Sequence, residues 1–244
     1  MTINPETTRR FEVRAKTILT FLKSEVRYDQ RFMPRPFFVE ITGSPSSGKT
    51  TTITELDKFF RRMGFRVLRP QEGAEVIRHI DRTTPIYNVR TGLYALSMLL
   101  DYSHGNAYDI VIFDRSIYDA YTWMVYWQQK GNLTPEEMKC VQDFFLMRLW
   151  TPYIDAAYFM VCNPEESMRR ELRIALSEKF GETTNPASVK TLVERYRAAY
   201  DFLHPTHPNL HLFDTSSMSE QAMVEAVATL TLDSLEQKTR SGLL

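Results

Sequence analysis

The chain has 244 residues, a length that α/β domains commonly reach as one compact unit. Hydrophobic residues make up 43% and charged residues 25%, which is typical of a soluble globular protein with a substantial core and argues against disorder. Thirty basic residues balance thirty acidic ones, so no overall positive charge would attract nucleic acid, and nucleic acid is not expected as a partner.

The first residues, up to Lys16, are mainly polar and charged and lack the apolar segment of a secretory signal. No apolar run approaches the ~20 residues that cross a bilayer. Cys140 and Cys162 are not spaced like a zinc site or a disulfide framework, which favours free thiols in a reducing compartment. We therefore expect a soluble cytoplasmic protein without membrane attachment.

An amphipathic N-terminal helix is predicted from Phe11 to about Tyr28, where apolar residues recur every three or four positions. Two prolines then prevent the helix from continuing, so a new element begins at Phe37. This pattern predicts a helical extension over residues 1–36 and one further domain over residues 37–244.

Short apolar strands alternate with helices in the rest of the chain. The predicted strands cover residues 37–42, 65–69, 110–114, 156–161 and 210–213. The predicted helices cover residues 53–63, most of 73–104, two segments between the third and fourth strands, a segment from Pro186, and residues 219–235. This order predicts an α/β fold with three layers: a five-stranded, mostly parallel sheet with helices on both faces.

Residues 43–50 match the complete phosphate-loop motif GxxxxGK[ST], directly after a predicted strand and at the start of a helix. Gly43 and Gly48 allow close backbone approach, so that successive N–H groups can surround phosphate oxygens, and the helix N-terminus adds partial positive charge. Lys49 would reach the β- and γ-phosphates, and the Thr50 hydroxyl would coordinate Mg²⁺. A P-loop NTPase fold that binds ATP and Mg²⁺ is therefore predicted.

The residues predicted to bind the nucleotide are those of the loop and of the first helical turn. They are Gly43, Ser44, Ser46, Ser47, Gly48, Lys49, Thr50 and Thr51. Thr51 and its neighbour Thr52 also fit the role of ordinary helix residues. A chance glycine turn before a helix is the alternative, but it would not bring a strand, a complete motif and an amphipathic helix together.

Asp114 ends the apolar third strand, as the acid of a Walker B strand does. It would face the Mg²⁺ site beside Thr50, although a carboxylate at this position could also cap the next helix. The chain continues with Arg115, Ser116 and, shortly after, an Ala-Tyr pair. In these residues it resembles the thymidylate kinase and deoxynucleoside kinase group, which carries an Asp-Arg or Glu-Arg pair here. The resemblance covers the core from Phe37 to about Leu235, and it implies that Arg115 holds the transferring or acceptor phosphate.

In deoxynucleoside kinases a glutamate at the end of the second strand acts as the catalytic base toward the sugar hydroxyl. Glu72 is the matching residue here, and Glu75 lies one helical turn away. A surface acid before a helix is the alternative for either. The same stretch, with Arg78, is also similar to the nicotinamide riboside kinase-like P-loop group, so the acceptor is predicted only as a class.

Nucleotide kinases place an arginine-bearing lid after the fourth strand, which here corresponds to residues 163–185. By this resemblance Arg169 and Arg173 would bring positive charge to the γ-phosphate, an effect of roughly 10³ to 10⁵ in rate in related NTPases. Helical spacing predicts that they share a face while Arg170 points elsewhere. A solvated helix face is the alternative.

Two further segments fit a substrate site. Adenine often packs near the loop that corresponds to residues 213–217 in the resembling kinases, although Ser216 or Ser217 could instead cap the last helix. Tyr118 and Tyr121 follow the Asp-Arg pair closely enough to line an acceptor pocket and stack on a planar base, although core packing explains most aromatic residues there.

The predicted function is an ATP-dependent small-molecule kinase that transfers the γ-phosphate to a nucleoside, a nucleoside monophosphate or a similar metabolite. A P-loop ATPase acting on nucleic acid, or a non-catalytic ATP-binding regulator, is the alternative. The GTPase motifs DxxG and NKxD and the transporter motif LSGGQ are absent, and an AAA+ machine would need a further helical domain. The sequence is compatible with a homodimer.

Overall fold

The computed structural model describes residues 4–24, 35–105, 107–174 and 185–241. The strands are β1 (Phe37–Gly43), β2 (Val67–Leu68), β3 (Ile110–Asp114), β4 (Ile154–Val161) and β5 (Leu210–Asp214). The helices are α1 (Pro5–Ser24), α2 (Lys49–Arg62), α3 (Gly73–Val76), α4 (Pro85–Ser103), α5 (Ile117–Gln129), α6 (Pro135–Phe145), α7 (Pro164–Ile174), α8 (Pro186–Leu203) and α9 (Glu220–Ser241).

The strands form one five-stranded sheet in the order β2-β3-β1-β4-β5. Every pairing is parallel, and Ile41 of β1 lies opposite Asp114 of β3 and Tyr158 of β4. Because parallel strands end at the same edge, the segments that follow β1, β2 and β3 come together there. The predicted parallel α/β fold is confirmed.

Helices cover both faces of the sheet, because successive side chains of each strand point to opposite faces. In β4, Tyr158 and Met160 join a buried apolar cluster with α1, α2 and α9, whereas Phe159 and Val161 join a second cluster with α4, α5 and α8. Fully burying one large apolar side chain contributes about 1.5–3 kcal/mol, so these two layers provide most of the favourable free energy of folding.

Helix α1 begins at Pro5, six residues before the start predicted from periodicity, and its predicted end at Tyr28 falls outside the described residues. Its buried residues share one helix face: Phe11, Ala15, Ile18 and Leu22. That face packs in the same cluster as α2 and α9. Arg14 also forms ion pairs with Asp233 at 2.6 Å and Glu236 at 2.9 Å, which fix α1 on α9.

Two predicted elements differ from the structure for local reasons. The second strand is predicted at 65–69, but β2 contains only Val67 and Leu68 and pairs with β3 alone at the sheet edge. The predicted helix over 73–104 is interrupted between α3 and α4. In this gap the Asp81 carboxylate accepts hydrogen bonds at 2.8 Å from both the amide and the hydroxyl of Thr83, which competes with helical bonding.

The other helix predictions agree more closely. The capping box of Thr134 and Glu137 opens α6 as predicted, and Pro186 begins α8.

Across the described residues, none of the helices combines the length and the apolar character that spanning a membrane would need.

Candidate functional site

The predicted phosphate loop joins β1 to α2 in a conformation that requires both of its glycines. Gly43 and Gly48 have φ values of 140° and 91°. A Cβ atom at Gly43 would lie 1.8 Å from the carbonyl oxygen of Met160, and one at Gly48 would lie 2.3 Å from the sulfur of Met223. Side chains at these positions would therefore collide with the neighbouring elements as well as strain the backbone.

Serine side chains inside the loop fix its shape. The Ser44 hydroxyl is buried and accepts a hydrogen bond from the amide of Cys162 at 3.1 Å, which ties the loop to the end of β4. The Ser47 hydroxyl donates to the Ser44 carbonyl at 2.8 Å. Ser44 and Ser47 thus maintain the loop, whereas Ser46, with a φ of 53°, is partly exposed.

The Lys49 side chain folds back into the loop. Its Nζ donates hydrogen bonds to the carbonyl oxygens of Gly43 at 3.0 Å and Ser44 at 2.6 Å. Burial, and then the positive charge of Arg115, lower the pKa of the Lys49 amine to about 7, and nearby carboxylates oppose this shift. The amine is therefore held where an incoming phosphate could replace the loop carbonyls as its partner.

The loop fits the phosphate groups of a nucleotide, and its surroundings fit Mg²⁺. Thr50 is exposed in the first turn of α2, and Asp114 is half-buried at the end of the neighbouring strand β3. Within the described ranges there is no group of three or more His, Cys, Asp or Glu side chains that could hold a metal. Mg²⁺ commonly takes one or two protein oxygens and completes its shell with phosphates and water, which suits this pair.

A cavity of about 680 Å³ lies between the phosphate loop, α7 and the start of α9, and we call it the donor cavity. Its basic lining residues are Lys49, Arg169, Arg170 and Arg173, and its acidic ones are Glu166, Glu171 and Glu220. Thr51 also lines this cavity, whereas Thr52 is buried in α2. The loop and the helix of the predicted lid segment therefore enclose one space.

Arg170 connects α7 both to the phosphate loop and to the segment after β5. Its guanidinium donates to the carbonyl of Ser46 at 3.2 Å and to that of Thr215 at 2.7 Å. Arg169 pairs with Glu166 at 2.5 Å, and its side chain is 67% exposed. All three arginines line the donor cavity, so the expectation that Arg170 points elsewhere is wrong, and Arg170 donates a hydrogen bond to a loop carbonyl.

The segment after β5 holds the loop from the other side. The buried Thr215 hydroxyl donates to the Ser47 carbonyl at 3.1 Å. The alternative of a cap from Ser216 or Ser217 is wrong, because the Ser219 hydroxyl accepts the amide of Ala222 at 3.1 Å in the first turn of α9. The loop over 213–217 therefore positions the phosphate loop.

A second cavity, of about 330 Å³, opens at the same edge of the sheet, and we call it the acceptor cavity. Its polar lining includes Glu72, Asp114, Arg115 and Asp119. Arg115 has a φ of 67°, an unusual conformation for a residue with a side chain, and its amide donates to the Ile41 carbonyl at 3.0 Å. This strained backbone conformation directs the Arg115 guanidinium toward the carboxylates of the acceptor cavity.

Arg115 joins two acids that lie on different elements. Its Nε lies 3.3 Å from a carboxylate oxygen of Glu72, and its Nη1 donates to Asp119 Oδ1 at 3.0 Å. The same Asp119 oxygen accepts hydrogen bonds from the hydroxyls of Tyr196, at 2.6 Å, and Thr42. Asp119 and Tyr196 were not predicted from the sequence, although Asp119 lies four residues after Arg115, the ion-pair spacing of a helix.

Of the two candidate glutamates, Glu72 lines the acceptor cavity and Glu75 does not. Glu72 is half-buried against Arg115, whereas Glu75 is exposed in α3 and does not line the cavity. Burial raises the pKa of the Glu72 carboxyl, and the positive charge of Arg115 opposes this rise. Glu72 therefore combines a position at the cavity with a carboxyl that binds a proton more readily than an exposed one.

The aromatic residues of the acceptor cavity differ from those expected. Its rings belong to Tyr87, Trp123, Tyr126 and Trp127. Tyr118 and Tyr121 are buried in the core, so the expectation that they line the cavity is wrong. The helical repeat explains this result, because the cavity face of α5 carries residues 119, 120, 123, 126 and 127, while Tyr118 packs near Phe159 of the sheet.

A buried acid under α5 fixes the turn that carries Arg115. Glu40 of β1 is inaccessible to solvent, and its carboxylate accepts the amides of Ser116 and Asp119 at 2.9 Å and of Tyr118 at 3.2 Å. Burial raises the pKa of Glu40 to about 8, although these amides favour the charged form. Glu40 therefore accepts hydrogen bonds from the N-terminal amides of α5, because the side chain of the N-cap residue Ser116 does not cap this helix.

Comparison with known proteins agrees with this architecture. The family model described as AAA domain matches residues 38–236, so the argument from a missing helical domain does not exclude this family. Deoxyadenosine kinase from M. mycoides with the products dCMP and a flexible dCDP bound has a TM-score of 0.57 at 14% identity, over 79% of this chain and 97% of that chain. The same enzyme with bound dATP has a TM-score of 0.56, with equal identity and coverage. No curated protein sequence matches this chain. The chain belongs to the AAA domain family of P-loop proteins and shares the fold of deoxyadenosine kinase.

Proposed function

We propose that this protein is a kinase that transfers the γ-phosphate of Mg-ATP to a nucleoside, a nucleoside monophosphate or a similar small metabolite. The observation that carries the proposal is the meeting of two differently built cavities at one edge of the sheet. The two cavities meet there because β1 leads into the loop and pairs with β3, whose last residue, Asp114, lines the second cavity. A kinase needs a site for the donor phosphates beside a site for the acceptor, so that the reacting groups are held next to each other.

The residues support a simple division of roles. The loop amides and Lys49 would hold the donor phosphates, and Arg115 would stabilise charge on the transferring group. The acceptor oxygen would attack the γ-phosphorus while the bond to the ADP oxygen breaks. For a hydroxyl acceptor, the released proton would pass to Glu72. Arg169 and Arg173 would add positive charge from α7, the described helix of the proposed lid over 163–185.

Thr50 and Asp114 are the residues that would hold magnesium. The ion, when bound, would neutralise part of the phosphate charge and orient the phosphate oxygens. An oxygen pair at the loop and the adjacent strand end supports this assignment, because Mg²⁺ prefers oxygen ligands. Residues 1–36 would form a helical extension of the kinase domain at 37–244, consistent with the family match that begins at residue 38.

The size and lining of the acceptor cavity favour a small acceptor over a polymer. Its volume of about 330 Å³ and its four aromatic rings suit a compact planar ligand. A nucleic-acid-dependent ATPase would need an open basic surface. The acceptor cavity instead contains three carboxylates and two arginines.

A transfer screen tests the proposal. The protein is incubated with ATP and nucleosides, nucleoside monophosphates or pyridine ribosides, with and without magnesium, and products are identified by mass. We expect one acceptor class to gain a phosphate only when magnesium is present. ATP hydrolysis that nucleic acid stimulates, without a phosphorylated small molecule, would contradict the kinase proposal. ATP binding without turnover under every condition would favour a regulator.

Nucleotide binding should also take up protons in mildly alkaline solution. In the folded protein the pKa of Lys49 is about 7, below its ordinary value of 10.5, and donor phosphates would raise it again. At about pH 8.5 each binding event should take up as much as about one proton. Calorimetry in buffers of different ionisation enthalpy measures this uptake. Lys49→Met should remove it, and equal uptake in that variant would contradict the assignment.

A further inference from the structure

Acidic side chains of the donor cavity pair with each of its arginines. The cavity contains four basic and three acidic side chains. Glu166 pairs with Arg169 at 2.5 Å and with Arg170 at 2.8 Å, and Glu220 lies 3.5 Å from Arg173. These ion pairs reduce the attraction that the arginines exert on a highly charged triphosphate.

Glu171 differs from the other acids of this cavity. One of its carboxylate oxygens, Oε2, accepts a hydrogen bond from the Ser46 hydroxyl at 2.8 Å. In the part of the chain that the structure describes, no cation lies within ion-pair distance of Glu171, whereas Glu166 and Glu220 each have an arginine partner. Among the described residues, the Glu171 carboxylate thus lies against the phosphate loop without an ion-pair partner.

We propose that Glu171 lowers the affinity of the donor cavity for nucleotides and makes it select magnesium-bound over metal-free nucleotide. This inference depends on the proposed binding of ATP at the loop. Repulsion between the Glu171 carboxylate and the ligand grows with the negative charge of the ligand. Mg-ATP carries about two fewer negative charges than free ATP, so the carboxylate penalises the metal-free form more strongly.

Calorimetric dissociation constants for Mg-ATP, and for ATP with a chelator, test this role in three variants. Glu171→Gln removes the charge but keeps an oxygen that can accept the Ser46 hydrogen bond, whereas Glu171→Ala removes both. Glu165→Gln is the matched control, because Glu165 is an exposed acid of α7 outside the cavity. We expect Glu171→Gln to tighten Mg-ATP binding about threefold and metal-free ATP binding about tenfold.

The possible results separate the two proposals. Wild-type protein that binds neither form of ATP would overturn the proposed function. If the wild type binds ATP, the role of Glu171 is overturned when Glu171→Gln changes both affinities no more than Glu165→Gln does. It is also overturned when only Glu171→Ala tightens binding, because the hydrogen bond would then matter rather than the charge. Equal tightening of both ATP forms would overturn the selectivity.

Discussion

Lys49→Ala is expected to lower the rate of phosphoryl transfer by about 10²–10³-fold while the protein remains folded. Its ammonium group points into the loop, where it can follow the charge that develops on the γ-phosphate oxygens. The variant should fold, because the two loop carbonyls lose only one shared donor and the desolvation cost of a buried ammonium disappears. Product mass gives the transfer rate, and circular dichroism gives the folded state.

Lys58→Ala is the matched control for this variant. Lys58 lies on the same helix, but it is exposed and pairs with Glu55 outside the site. Its loss should leave transfer unchanged, since an exposed ion pair of this kind contributes about 0–1 kcal/mol. If folded Lys49→Ala bound ATP and transferred phosphate as the control does, residues 43–50 would not be the donor site.

The phosphate loop could be predicted from the sequence because its motif is local, although distant residues also hold it. Gly43, Gly48 and Lys49 lie within seven consecutive residues, and their conformations follow from the turn itself. The apolar run that ends at Asp114 was equally informative, since a buried strand beside β1 delivers its last residue to the loop. Short-range signals thus predicted the positions of the loop and of Asp114, whose roles remain proposals.

The acceptor side depends on contacts between residues far apart in the chain, which no local pattern reveals. Tyr196 reaches Arg115 across 81 positions, and Glu40 reaches Ser116 across 76. The sequence showed Glu40 only as one acid within an apolar strand, whose burial depends on the packing of α5. Tyr118 and Tyr121 were wrongly placed because proximity in sequence does not determine which helix face a ring occupies.

The turn at Arg115 stores strain that its contacts offset. A non-glycine residue with a φ of 67° costs of the order of 1–3 kcal/mol. Four groups hold the turn in place: the Ile41 carbonyl, the Glu40 carboxylate under α5, Asp119 and Glu72. Because the same guanidinium also contacts Glu72, the arginine and the candidate base are positioned together.

Glu72→Gln should therefore lower phosphoryl transfer to a hydroxyl by about 10²–10⁴-fold and leave ATP affinity nearly unchanged. The amide keeps the size of the carboxylate but cannot accept the proton of the acceptor. Arg115→Ala should also abolish transfer, because it removes the cation beside the transferring phosphate. Calorimetry and product mass measure the two quantities, and Glu75→Gln, an exposed acid nearby, should behave as the wild type. If both Glu72→Gln and Arg115→Ala transferred phosphate at the wild-type rate, the acceptor would bind elsewhere. The similarity to nucleoside kinases would then extend only to the nucleotide-binding core.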